Sequence, residues 1–219
     1  MRFMDHGLRD RNRAKTRVAL VEALVPRLSE RELEDIPVRE LCEAAEISQP
    51  TFFNYFPTKP DLLTHFVQLW SLRMGVVALQ SAQLGPLESI HAFYAASAEQ
   101  VQEHPRVMLS LIAHQARWTQ GTQTPPVELV ERLLWLDDHP KAATVSDQGL
   151  GELLPLWITQ AIQAGELPPD TPVMELTLAA ASIFFGVPLL LAQSSPQAIG
   201  PMYRSQLETL WAGARARFG

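Results

Sequence analysis

The 219-residue sequence predicts an all-α fold, and three observations carry that reading. Apolar residues recur at intervals of three and four along almost every segment, the period of a helix with one buried face. Runs that alternate with period two are missing, and β-branched residues do not cluster as strands require. Proline, glycine and short polar side chains fall between the periodic segments, where helices stop and start.

A first helix is predicted over residues 10–29, with Val18, Val21, Leu24, Val25 and Leu28 on its apolar side. A polar stretch, 30–36, leads to Pro37, a residue suited to a first helical turn. A short second helix covers 38–45, with Val38, Leu41, Cys42 and Ala45 on one face. Ser48 is the N-cap of a third helix over 49–55, and Pro50 sits in its first turn, where the missing N–H breaks no bond. Pro57 holds Phe56 extended and ends that helix. Thr58 then caps a fourth helix running to about Ser81, with Asp61 standing three residues on as the capping-box partner. Gly85-Pro86 is the next breaker. It divides the chain into a domain at 1–57, a connecting helix at 58–84 and a second helical domain at 85–219. Helices in the last are predicted over 87–103, 105–120, 127–138, 148–164, 172–193 and 197–218.

The composition is 47% hydrophobic and 19% charged, enough apolar material for a core and too much for a disordered chain. No stretch of about 18 apolar residues runs without polar interruption, so no spanning helix is expected. The N-terminus lacks the apolar region of a secretory signal, which makes the cytoplasm the expected compartment. A single cysteine, Cys42, excludes an internal disulfide and a cysteine-rich zinc site. The net charge of -6 is unevenly spread. Residues 1–17 hold six basic side chains against two acidic ones, whereas 76–219 hold seven against thirteen. Phosphate affinity follows the local face rather than the total, so the basic N-terminus is the part suited to nucleic acid.

Signs of catalysis are weak. Glu88 and His91 have the Glu-x-x-His spacing of a di-iron bundle, but no second copy supplies the other half of such a site. The sequence has no Gly-rich phosphate loop and no Gly-x-Ser-x-Gly elbow. The expectation is a protein that is not an enzyme, with no catalytic residue, no metal site and no cofactor.

The informative segment is Pro37 to Leu63, PVRELCEAAEISQPTFFNYFPTKPDLL. Two short helices joined by a tight turn and flanked by longer ones make a helix-turn-helix, whose second helix enters the DNA major groove. Val38, Leu41, Ala45, Ile47, Phe52 and Phe56 can form its small core. That leaves Gln49, Pro50, Thr51, Phe53, Asn54 and Tyr55 facing outward. Gln and Asn can pair bidentately with adenine, and Thr or an aromatic ring can touch the thymine methyl. Tyr55, Lys59 and the N-terminus of the fourth helix are suited to phosphate.

ISQPTFFNYFPTKPDLL resembles the recognition helix and following helix of TetR-type regulators, and the resemblance extends over Arg13 to about Leu69. It implies an N-terminal DNA-binding domain and a C-terminal helical domain for ligand binding and dimerisation. By position it implies base reading by Gln49, Pro50, Thr51, Phe53 and Asn54, and backbone contacts by Thr16, Arg39, Ser48, Tyr55 and Lys59. Three residues depart from the family pattern. Glu46 stands where glycine is usual in the turn, and costs about 1 kcal/mol if its φ is positive. Pro37 replaces a threonine that caps the second helix. Phe53 replaces a frequent tyrosine.

The resemblance further implies a homodimer on a palindromic double-stranded operator, formed through the last two helices. Ala179, Ser182, Ile183 and Gly186 allow close helix approach, with Leu207, Leu210 and Trp211 as anchors. A small-molecule effector pocket is expected, with Phe93, Met108, Ile112, Trp118, Trp157 and Phe184 as walls. His114, Gln115 and Arg117 are its polar candidates. The apolar bias favours a hydrophobic or aromatic effector that relieves repression.

Overall fold

The computed structural model describes residues 2–117, 126–147 and 149–219, with the main chain alone at 115 and 117. Among the described residues the structure is all-α. The first four helices are α1 (Leu8–Leu28), α2 (Val38–Ala44), α3 (Gln49–Tyr55) and α4 (Lys59–Gln80). α5 (Pro86–Glu103), α6 (Pro105–Arg117) and α7 (Leu129–Trp135) follow. The chain ends with α8 (Leu150–Gln163), α9 (Val173–Leu191) and α10 (Ile199–Phe218). α3 starts and stops where its caps place it. α7 is shorter than its apolar periodicity suggests, because Asp137 and Asp138 turn to φ of 49° and 55° just beyond it.

The chain forms two compact units, Met1–Arg73 with Ser110–Asp147, and Met74–Leu109 with Gln148–Gly219. The boundary expected at Gly85 is therefore not where the packing divides. The stretch 110–147 belongs with the N-terminal helices, since α7 lies against α1.

In the first unit, α1 packs on α2 and α2 on α3. Leu20, Val21, Leu24, Leu28, Leu41 and Phe52 are fully buried there. On the other side of α1, Phe3 and Ala14 cluster with Val130, Leu133 and Ala142. The Phe3 amide donates to Asp138 Oδ1 at 2.6 Å, which ties the N-terminal segment to the turn after α7.

In the second unit, α5, α8, α9 and α10 pack in a ring, each against two of the others. Its centre is aromatic. Tyr94 and Phe184 meet edge to face at 5.2 Å, and Phe184 stacks on Tyr203 at 5.9 Å. The two phenols donate to α9 carbonyls, Tyr94 to Ala180 at 2.7 Å and Tyr203 to Phe184 at 2.6 Å. Burial pushes both phenols well above their ordinary pKa, so both stay protonated donors. Gly85 begins α5 with φ of 114°, and a side chain there would collide with the Glu166 carboxylate, which caps the Leu87 amide at 3.0 Å.

Against the expectation from sequence, α4 and α9 are long and apolar enough to cross a membrane by length and composition. In α4 61% of that apolar window is buried within the protein, against 33% in α9. The exposed part of α9 includes Met174, Leu178, Leu189 and Leu190.

Candidate nucleic-acid interface

The turn between α2 and α3 is built from local sequence. Ile47 donates its amide back to Cys42 at 2.9 Å, and Glu46 takes a φ of 54°. This is the left-handed residue whose place glycine usually fills, so Glu46 carries the strain anticipated for it. Ser48 Oγ accepts the Thr51 amide at 3.3 Å and lies 2.8 Å from Thr51 Oγ1. Phe52 and Phe56 point inward, and Phe53 packs edge to face on Phe52 at 5.3 Å while remaining 49% exposed. Gln49, Pro50, Phe53 and Asn54 thus form an open face, with Thr51 and Tyr55 half-buried beside it.

Thr58 and Asp61 form the capping box at the start of α4. Thr58 donates from its amide at 2.9 Å and from its hydroxyl at 2.6 Å, and the Asp61 amide returns at 3.3 Å.

Between α1 and the end of α3 lies an open cleft of about 890 Å³. It is lined by Leu8, Arg9, Asp10, Asn12, Arg13 and Thr16 from one side and by Asn54 and Tyr55 from the other. Arg9 and Arg13 were not singled out by sequence reading. The signal that could have found them is their spacing of four on a helix with Thr16 one turn further. Thr16 donates to Asn12 O at 3.0 Å, and Arg13 pairs with Glu128 at 3.3 Å across half-exposed side chains. Arg39 is exposed on α2 and pairs with Glu43 at 3.0 Å.

Lys59 departs from its expected role. Its ammonium donates to the carbonyls of Leu33, Glu34 and Ile36 at 2.7, 2.8 and 2.9 Å. An ammonium has three N–H donors, and all three are engaged here. The side chain clamps the loop before α2 and has no donor left for phosphate.

The dimer anchors also need correction. Leu207 and Trp211 are buried within the subunit, at 0% and 2% exposure. They share a face of α10 with Tyr203 and Ala214, at spacings of four, four and three, and that face packs inward. Leu210 is half-buried. On α9, Ser182 is exposed, Ala179, Ile183 and Gly186 are half-buried, and the space above Gly186 is open.

The effector candidates are divided between the units. Phe93, Trp157 and Phe184 are buried in the second, with Trp157 and Phe184 at 5.7 and 5.9 Å from Phe93. Met108 is buried in the same unit, whereas Ile112 and His114 belong to the first. His114 Nε2 lies 3.0 Å from Thr64 Oγ1 and borders a pocket of about 220 Å³ with Glu32, Glu34 and Ser110. Trp118 and the side chains of Gln115 and Arg117 lie outside the described residues.

No family model matches the chain, and no curated protein matches it. Solved structures do. A TetR transcriptional regulator from Rhodococcus sp. RHA1 is 18% identical with a TM-score of 0.59, over 91% of this chain and 96% of that one. The TetR-type repressor FadR of Thermus thermophilus, solved with lauroyl-CoA, is 19% identical with a TM-score of 0.63, over 90% and 94%. The ketosteroid transcriptional regulator KstR2 of Mycobacterium tuberculosis is 16% identical with a TM-score of 0.52, over 91% and 94%. The chain has the fold of the TetR regulators, an N-terminal helix-turn-helix followed by a larger helical region.

Proposed function

We propose that the chain is a sequence-specific DNA-binding transcriptional regulator of the TetR type, a repressor released from its operator by a small hydrophobic or aromatic effector. The observation that carries this reading is the open face of α3 beside a cleft into which α1 brings Arg9 and Arg13. Gln49 and Asn54 project donors and acceptors from a helix whose opposite side holds the buried Phe52. Such a helix can read base edges while Arg9 and Arg13 hold the neighbouring phosphates. The same face on a merely structural hairpin has no reason to expose Phe53.

A regulator of this kind acts in the cytoplasm on double-stranded DNA as a homodimer. The exposed apolar residues of α9 support α9 and α10 as the interface, with Met202 adding to the same kind of surface on α10. The lauroyl-CoA bound by the Thermus regulator and the ketosteroid in the name of the mycobacterial one support an apolar effector. α4, like α6, contributes residues to both units, and it is the one that follows the reading helix, so an effector can bias that helix through it. Coupling of about 1–3 kcal/mol is typical of such systems.

Selection of bound sequences from a random duplex pool tests the reading. An enriched inverted repeat is expected. If no duplex is enriched even at low salt, the chain does not read DNA.

A further inference from the structure

Behind the reading helix lies a buried polar network that DNA contact does not require. Arg17 of α1, His65 of α4 and Glu131 of α7 are 3%, 0% and 1% exposed. Arg17 Nη2 lies 3.0 Å from His65 Nδ1, and Arg17 Nη1 lies 3.4 Å from Glu131 Oε2. His65 Nε2 is bonded to Glu131 Oε1, which closes the triangle.

The chemistry fixes the direction of these bonds. A guanidinium only donates, so His65 Nδ1 accepts. Its proton is then on Nε2, and Nε2 donates to the Glu131 carboxylate. Gln68 Oε1, 3.4 Å from Nδ1, is an acceptor that this tautomer leaves unused.

As a device for stability alone, the network is poorly made. Arg17 Nε is buried without a hydrogen-bond partner among the described residues, and Glu131 Oε2 has the 3.4 Å ion pair with Arg17 Nη1 but no hydrogen bond there. Burial also pulls the Arg17 guanidinium below its ordinary pKa, against the opposing pull of Glu131. Well-packed apolar side chains of similar volume often hold such a site as well as a buried triad does, or better. The network's place suggests what it does instead. The Arg17 guanidinium lies over the Phe56 ring at 5.4 Å, and the His65 ring is 5.3 Å from the same ring. Phe56 is the C-cap of α3, and Tyr55 beside it lines the cleft. Arg13, one turn before Arg17, lines the opposite wall.

We infer that Arg17, His65 and Glu131 are positioning residues for DNA reading, which fix the spacing of α1 and α3 and give α7 a hold on it. The inference rests on the proposed DNA-binding function. Through Glu131, a shift of α7 changes the cleft without any contact between α7 and DNA. α7 belongs to a stretch of the first unit that is separate in sequence from α1 to α4, so Glu131 ties a sequence-distant element to the cleft.

Imidazole and side-chain amide NMR of the full chain, titrated with a random-sequence duplex pool at low salt, tests this. The free protein should show His65 with a bare Nδ1 and a protonated Nε2. On adding duplex, the Asn54 amide and the His65 ring signals should move together. If Asn54 moves and His65 does not, the positioning role is wrong while DNA reading stands. If neither moves, DNA reading itself fails. Glu131→Gln should weaken duplex binding about tenfold. The apolar triple variant Arg17→Leu/His65→Leu/Glu131→Leu should fold at least as stably as the parent and bind equally weakly. A folded triple variant with parental affinity would reduce the network to packing and overturn the inference. Should a variant not fold, the spectra of the parent chain decide alone.

Discussion

The ammonium of Lys59 donates to the carbonyl of Ile36 at 2.9 Å, and with its bonds to Leu33 and Glu34 it gathers the loop before α2 onto the start of α4. Those carbonyls belong to a single 3-10 turn, Leu33–Asp35, and its C-cap, Ile36. Removing the ammonium takes a donor from the part-buried carbonyls of Leu33 and Ile36 and from the exposed one of Glu34. Lys59→Ala is expected to lower the unfolding free energy by about 1–2 kcal/mol. Chemical denaturation checks it. An unchanged midpoint with a loss of duplex affinity would return Lys59 to the phosphate role.

That clamp also shows where the sequence stops being legible. The caps of α3 and α4 act over three residues, from Ser48 to Thr51 and from Thr58 to Asp61, so residue types at fixed spacing reveal them. Lys59 reaches carbonyls 23 to 26 residues away, and His65 reaches Glu131 across 66. No local pattern encodes such pairings. Periodicity shows that Tyr203, Leu207, Trp211 and Ala214 share a face of α10, yet not whether that face turns inward. The exposed face of α3 was legible because Phe52 and Phe56 had to be buried, and the helix then placed Phe53 and Asn54 outside.

Glu46 supplies a second prediction. Its φ of 54° puts the Cβ against the following carbonyl, a strain that glycine does not suffer. Glu46 is exposed, so its side chain contributes no packing to offset the loss. Glu46→Gly should raise the unfolding free energy by about 0.5–1 kcal/mol after the extra freedom of glycine in the unfolded chain is counted. A lower denaturation midpoint would show that the Glu46 side chain stabilises the turn in a way its geometry does not reveal.

Asn54 and Arg13 line the same cleft but should fail differently. Asn54→Ala should relax preference at one base pair, costing about 1–3 kcal/mol there and little elsewhere. Arg13 pairs with Glu128 near the surface, and breaking so exposed a pair costs little stability. Arg13→Ala should therefore weaken all duplexes alike and lower the salt dependence by about one released counterion. Affinities across a set of single-base operator variants, each measured at several salt concentrations, separate the two. Matching profiles would contradict the division between base reading and phosphate holding.

The last prediction separates a face that holds the subunit together from a face proposed to join two copies. Trp211 is 2% exposed, whereas Leu178 on α9 is 61% exposed. Met174 and Leu189 line up with Leu178 at helical spacing, and the space above Gly186 is open, so a second helix can approach closely there. Truncating the buried indole leaves a cavity, and Trp211→Ala should cost about 3–5 kcal/mol of stability. Leu178→Glu places a charge on the exposed stripe, where a partner helix would have to bury it. The variant should keep its helical circular dichroism and sediment at half the mass of the parent. Since two half-sites need two linked reading heads, its affinity for an inverted repeat should fall close to that for a single half-site. A Leu178→Glu protein that remains dimeric would move the interface off this face.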